Sequence, residues 1–95
     1  MKLLKISKSD KPQKKYVAVF QDGEKTKKIY FGSAGMDDFL KTKNKDQRDR
    51  YRARTKSVYD KSPPVSASRL AGDILWGDST SLNENIKNYK KKYNL

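Results

Sequence analysis

From Lys41 to Arg50 the chain runs through ten residues without a single apolar side chain. No packed helix or strand can cross such a stretch unbroken, because an element that covers a core must return an apolar residue every second, third or fourth position. The stretch therefore divides two different patterns. Before it stand three β-rich runs, Leu3 to Ile6, Tyr16 to Phe20 and Lys27 to Phe31, the last two joined by Gln21-Asp22-Gly23-Glu24. Asp-Gly between two such runs is a strong hairpin signal. After it, apolar residues recur at helical spacing. The expected fold class is α+β: a small N-terminal antiparallel sheet, made of a β-hairpin plus one strand, packed by three to four C-terminal helices.

The hairpin register is ambiguous from sequence. Turn chemistry favours a two-residue loop at Asp22-Gly23, whereas side-chain patterning favours a loop one residue longer. The longer register puts Val17, Val19, Ile29 and Phe31 on one face and Tyr16, Phe20, Tyr30, Thr26 and Lys28 on the other. Ser7 to Lys15, polar, basic and interrupted by Pro12, reads as a solvated loop.

Helix boundaries follow from capping chemistry. Asp37 and Asp38 suit the start of a short helix near Met36, with Phe39 and Leu40 toward the sheet. A break is expected near Asn44 and a second helix from Asp46, with Tyr51, Ala53 and Val58 as its buried contacts. Pro63-Pro64 marks a boundary. Beyond it Ala67, Leu70, Ala71, Ile74 and Leu75 form one apolar stripe, and Gly77 after Trp76 suits a left-handed stop. Trp76 itself is expected in the core. Ser81-Leu82-Asn83-Glu84 is a capping box, followed by Leu82, Ile86, Tyr89 and Tyr93 on one face.

A chain of 95 residues supports one core. The organisation expected is a single small basic domain over 1–95, with 1–35 as sheet, 36–61 as an Arg-rich helical part and 62–95 as a C-terminal helical pair. Charge bears most on function. With 23 Lys and Arg against 11 Asp and Glu, the net charge is +12. Residues 1–35 carry +6, residues 36–61 carry +4 and residues 62–95 carry +2. A surplus of this size attracts polyanions.

The absence of Cys and His removes thiolate, imidazole and common zinc chemistry. No enzymatic activity, metal site or cofactor is expected. Gly32-Ser33-Ala34-Gly35 lacks the spacing and the Lys-Ser/Thr ending of a P-loop, and the carboxylates open to a Mg²⁺ pair are only the neighbours Asp37 and Asp38 and the pair Asp73 and Asp78, which stands far from any obvious partner. The N-terminus has no apolar targeting segment and no run is long enough for a bilayer, so the chain is expected to be neither secreted nor membrane-bound.

Two constellations suit phosphate. On a helix Arg48, Arg50, Arg52 and Arg54 form two adjacent basic ridges, and guanidinium groups grip phosphate oxygens in pairs. The competing reading is a solvated face in which Asp46 and Asp49 neutralise them. The hairpin offers Lys14, Lys15, Lys25, Lys27 and Lys28 beside Tyr30, the mixture of cations and exposed aromatic rings that binds single strands. Against that, lysines also guard sheet edges and aromatics fill cores. The expected partner is nucleic acid, bound largely without regard to sequence.

Five blocks in order, Phe31-Gly32-Ser33-Ala34-Gly35-Met36-Asp37-Asp38-Phe39, Asp46 to Arg54, Ala71-Gly72-Asp73-Ile74-Leu75-Trp76-Gly77, Ser81-Leu82 and Tyr93-Asn94-Leu95, resemble a family of small basic proteins of nucleocytoplasmic large DNA viruses. The resemblance spans roughly residues 28–95. It implies a virion or virus-factory location in the host cytoplasm or nucleus, DNA ahead of RNA as ligand, and genome packaging as a role. The alternative it leaves open is a minor virion protein that bridges acidic surfaces of capsid proteins.

Overall fold

In the computed structural model, which describes all residues 1–95, three strands are followed by helices. Strands β1 (Lys2–Lys8), β2 (Lys14–Asp22) and β3 (Lys25–Ser33) form one antiparallel sheet in the order β1-β2-β3. The fold is α+β, as the sequence pattern anticipates.

The hairpin register differs from both expected alternatives. Asp22 pairs with Lys25, so the two-residue loop is Gly23-Glu24, and Gly23 takes φ 64. A glycine at the first loop position fits a type II′ turn, whose twist matches that of the strands it joins. This register sets Tyr16 opposite Phe31, Ala18 opposite Ile29 and Phe20 opposite Lys27. Phe20, Ala18 and Phe31 are buried on the face toward the helices, while Val17, itself buried, and the half-buried Val19 face the other side beside Tyr30 and Lys28. The expected grouping of Val17 and Val19 with Ile29 and Phe31 is thus corrected. A one-residue change in the sum of paired positions exchanges every side chain between faces.

β1 solves a similar problem with an irregularity. Leu3 pairs with Phe20 and Lys5 with Val19, which leaves Leu4 as an extra residue, 48% exposed. The bulge brings Leu3 and Ile6 onto the same face although they are an odd number of residues apart.

Helix α1 (Phe39–Thr42) begins later than expected. Asp38 is its N-cap, accepting from the Lys41 backbone N–H at 2.9 Å. Lys43 closes it at φ 57, and Asn44 then caps the long helix α2 (Lys45–Lys61), accepting from the Gln47 N–H at 3.1 Å. The expected break near Asn44 is present. No residue of α2 is buried: Ala53 is exposed and Val58 is 61% exposed, so neither is the core contact expected of it. The helix is held instead by its stack and hydrogen bonds. Tyr51 lies 4.3 Å from Trp76 at an interplanar angle of 11°, and Arg52 Nε donates to the Trp76 carbonyl at 2.9 Å.

After Pro63-Pro64, helix α3 (Ala67–Leu70) is capped by Ser66 and passes directly into a π-helical turn, Ala71–Leu75. The wider turn closes with the Trp76 N–H donating to the Ala71 carbonyl, five residues back, at 3.0 Å. It sets Leu70, Ile74, Leu75 and Trp76 into the core together. Gly77 is not a left-handed cap, contrary to expectation. A Cβ there would lie 2.2 Å from the Asp73 carbonyl oxygen and 2.8 Å from the Asn85 carboxamide carbon, so glycine answers a close approach instead.

Helix α4 (Leu82–Tyr93) starts at Ser81, which accepts from the Glu84 N–H at 3.3 Å. Glu84 does not return to the Ser81 backbone; its carboxylate takes the Ser79 hydroxyl at 3.2 Å. Ten residues from the sheet, α1, the α3 and π-helical segment and α4 make one core: Leu3, Ala18, Phe20, Phe31, Phe39, Leu70, Ile74, Leu75, Trp76 and Tyr89. No helix is long and apolar enough to cross a membrane.

Candidate nucleic-acid interface

The fold separates the four arginines of α2 into two pairs. Arg48 lies over the Phe39 ring at 4.8 Å and pairs with Asp49 at 3.2 Å, leaving 14% of its side chain exposed. Arg52 holds the Trp76 carbonyl and pairs with Asp78 at 3.0 Å. Both guanidinium groups are committed to holding α2 on the body. Arg50 and Arg54 lie on the exposed side and neither forms a salt bridge or a hydrogen bond within the chain, although the Arg54 guanidinium rests 5.7 Å from the Tyr51 ring centroid. Asp46, the expected partner of Arg50, makes no ion pair with it.

The hairpin residues divide in the same way. Lys15 pairs with the buried Asp38 at 2.5 Å and also donates to the Met36 carbonyl, which ties β2 to the start of α1. Tyr30 is engaged as well. Its hydroxyl donates to Asp10 at 2.8 Å and Lys11 sits 4.2 Å from its ring centroid. That hydrogen bond holds the Asp10 carboxyl below its ordinary range and raises the Tyr30 hydroxyl. Lys14, Lys25, Lys27 and Lys28 remain exposed and without acidic partners. In the β2–β3 ladder the Lys14 backbone lies opposite Ser33 at one end and the Lys25 backbone opposite Asp22 at the other, without an ion pair between the Lys25 and Asp22 side chains.

Ten residues were expected to form the site, and six of their cations have no carboxylate partner: Lys14, Lys25, Lys27, Lys28, Arg50 and Arg54. Lys25, Lys27 and Lys28 occupy the first half of β3, whereas Lys14 is level with its last residue, Ser33, and Arg50 and Arg54 flank the turn that follows, a separation of roughly 17 to 26 Å at ~3.3 Å per residue. Across the whole chain six basic residues have acidic partners, Lys15, Lys41, Arg48, Arg52, Lys56 and Lys92, which leaves 17 of the 23 without one. Among the nine lysines of residues 1–35 only Lys15 is paired.

Two concavities flank α2. One, of about 450 Å³, lies between α2, the π-helical turn and α4. Its charges are balanced: Arg52 with Asp78, Lys56 with Asp60 at 2.8 Å, and Lys92 with Asp73 at 3.5 Å. Asp73 anchors a polar cluster that the sequence does not reveal. Both Tyr59 and Tyr93 donate to its carboxylate, the latter at 2.7 Å, and Arg69 donates to the Tyr93 hydroxyl at 2.8 Å. Burial, reinforced by the hydrogen bond to Asp73, pushes the Tyr59 hydroxyl up to about 12. Burial opposes the charge on Lys92, but its hydrogen bond to Tyr59 and the field of Asp73 outweigh that and raise its pKa. This cluster joins α2, α3 and α4, and its two cations, Arg69 and Lys92, are tied up in hydrogen bonds to Tyr93 and Tyr59 around the single carboxylate of Asp73. Asp73 and Asp78, which in the sequence stand apart from any partner, are thus both engaged.

The second concavity, of about 610 Å³, lies between the β3–α1 turn and α2. Gly35, Met36, Asp37, Gln47, Tyr51 and Trp76 line it together with Arg50 and Arg54. Met36 is 61% exposed there. Asp37, which pairs with Lys41 at 3.7 Å, is its only acid. Asp38 is fully occupied by Lys15 and by capping.

A chain with this sheet, this Arg-bearing helix and these motifs belongs to a defined family. It is a member of the family described as "Family of unknown function (DUF5754)", whose model matches residues 4–55, from β1 into the arginine segment of α2. It is similar to an uncharacterized protein of Acanthamoeba polyphaga mimivirus, 38% identical over 80 residues, covering 77% of this chain and 80% of the relative. That relative agrees with the giant-virus resemblance of the sequence motifs. No solved structure matches the chain.

Proposed function

We propose that this is a non-enzymatic protein that binds nucleic acid largely without regard to sequence, duplex DNA ahead of RNA, in the setting of a giant virus. Genome packaging, in the virion or the virus factory, is the role that fits. The observation that carries the proposal is the state of the charges. Seventeen cations have no acidic partner, and the N-terminal lysines are almost entirely uncompensated.

The spread of the free cations favours a polymer over a small anion. Two groups roughly 17 to 26 Å apart along a strand, at ~3.3 Å per residue, cannot both touch one phosphate, but a backbone that repeats its charge can reach both. Nothing in such contacts reads base edges, so specificity should be weak. The same charges also support the alternative of bridging acidic surfaces of viral structural proteins.

Binding of a short fluorescent duplex, followed by anisotropy, separates these readings. The paired change Arg50→Gln and Arg54→Gln should reduce the salt slope by about two, and the triple change of Lys25, Lys27 and Lys28 to Gln by about three. Scrambling the duplex sequence should change little. Variants that keep both affinity and slope would refute the assignment of these cations, and preparations free of nucleic acid that capture one viral structural polypeptide would favour the bridging role.

A further inference from the structure

We propose that the concavity between the β3–α1 turn and α2 takes one nucleotide unit, with its phosphate between Arg50 and Arg54 and its base against Met36 and Tyr51. The proposal rests on the nucleic-acid reading of the same two arginines. It adds a defined pocket, where that reading needs only charge.

Arg50 and Arg54 are four residues apart on α2, which puts their side chains on one side of the helix with Cβ atoms ~5–6 Å apart. Both are free of carboxylates, unlike the committed Arg48 and Arg52 on the far side of the helix, and the Arg54 guanidinium rests 5.7 Å from the Tyr51 ring centroid. Two planar forks at that spacing can share the oxygens of one phosphate. The depression they flank is open to solvent and, at about 610 Å³, wide enough to receive one nucleotide unit.

The rest of the lining does not suit a bare anion. Tyr51 and Trp76 are stacked at 4.3 Å and form a rigid aromatic wall, with Trp76 only 7% exposed. Met36, 61% exposed, presents an adaptable thioether to the same space, and an apolar side chain so placed invites a planar partner. Gln47 is held through its carboxamide oxygen, which accepts from the Thr42 hydroxyl at 2.8 Å, so its NH₂ is left to donate to a base edge. Asp37 is the one repulsive group. Its pairing with Lys41 at 3.7 Å reduces that repulsion, and it offers an acceptor to a sugar hydroxyl or an exocyclic amine.

Trp76 is the only tryptophan and lines the cavity, so its fluorescence reports occupancy directly. Purified protein should be titrated with adenosine monophosphate, with adenosine and with inorganic phosphate. The monophosphate should give a saturable change with a dissociation constant at least tenfold below either fragment. Arg50→Gln with Arg54→Gln should weaken it tenfold or more. Met36→Ala, at an exposed position, should weaken it several-fold while leaving the salt slope of duplex binding unchanged. Inorganic phosphate binding as tightly as the nucleotide, indifference to Met36→Ala, or no saturable signal would each overturn the proposal. Any of these with the duplex slope intact removes the pocket alone; loss of the slope in the wild type removes the reading beneath it.

Discussion

Asn85 carries a large share of the stability of the C-terminal half, and its removal should show it. The residue is 1% exposed and uses three hydrogen bonds. Its Nδ2 donates to the Ile74 carbonyl at 2.9 Å and the Ser79 carbonyl at 2.7 Å, and its Oδ1 accepts from the Ser79 N–H at 3.0 Å. These bonds fasten the turn after the π-helical segment to α4, against which Gly77 is also pressed. Truncation to Ala removes all three and leaves buried backbone groups unpaired, at about 1 kcal/mol net for each bond, so about 3 kcal/mol in total. For a domain of this size that lowers the melting temperature by roughly 12 °C or more. Urea unfolding followed by Trp76 fluorescence should show the midpoint falling at unchanged slope. Asn85→Asp makes a sharper comparison, since a carboxylate can still accept from Ser79 but cannot donate to two carbonyls. It should be at least as unstable as the Ala variant at neutral pH and recover as the carboxyl protonates in acid. A loss under about 0.5 kcal/mol for Asn85→Ala would refute the clamp, because that is the scatter of surface substitutions.

The arginines of α2 should sort by role. Arg52→Ala is expected to cost about 2 kcal/mol through the lost bond to the Trp76 carbonyl, and Arg50→Ala or Arg54→Ala within about 0.5 kcal/mol, in thermal melts run side by side. The Tyr59 hydroxyl is raised to about 12 in the folded state, so folding favours its protonated form. Stability from this group is full below the unfolded tyrosine value near 10 and is lost as pH rises toward 12, a window that alkaline denaturation with absorbance of tyrosinate would resolve. Tyr59→Phe should flatten that dependence.

Much of the fold is legible from local chemistry. The break at Asn44, the boundary at Pro63-Pro64 and the Ser81 start of α4 are each signalled by a residue whose side chain or ring imposes them. The hairpin register is not, for two reasons. The buried face uses Ala18, too small to stand out as core, and it admits Lys27 opposite Phe20 near the turn end. The other face carries the β-branched Val17 and Val19 beside Tyr30 and Lys28, which imitates a core pattern. The packing of α2 is hidden for another reason: its contacts are a ring stack, a cation over a ring and hydrogen bonds, none of which has apolar periodicity.

The candidate site was legible as residue types but not as roles. Alternate arginines in one helix look equivalent in sequence, yet the helical turn aims Arg48 at Phe39 and Arg52 at Trp76, while Arg50 and Arg54 stay exposed beside the β3–α1 turn, with Arg54 over Tyr51. Lys15 resembles its neighbour Lys14 until the fold brings Asp38 to it. The polar cluster around Asp73 joins Tyr59, Arg69, Lys92 and Tyr93, positions with no shared spacing to mark them.

The salt dependence of duplex binding tests the central claim most directly. If Lys14, Lys25, Lys27, Lys28, Arg50 and Arg54 each neutralise a phosphate, the logarithm of the association constant should fall against the logarithm of salt with a slope near −5, from about 0.9 per contact. A slope between zero and about −1, or no binding at low salt, would contradict the account, because it would mean that the unpaired cations meet no polyanion.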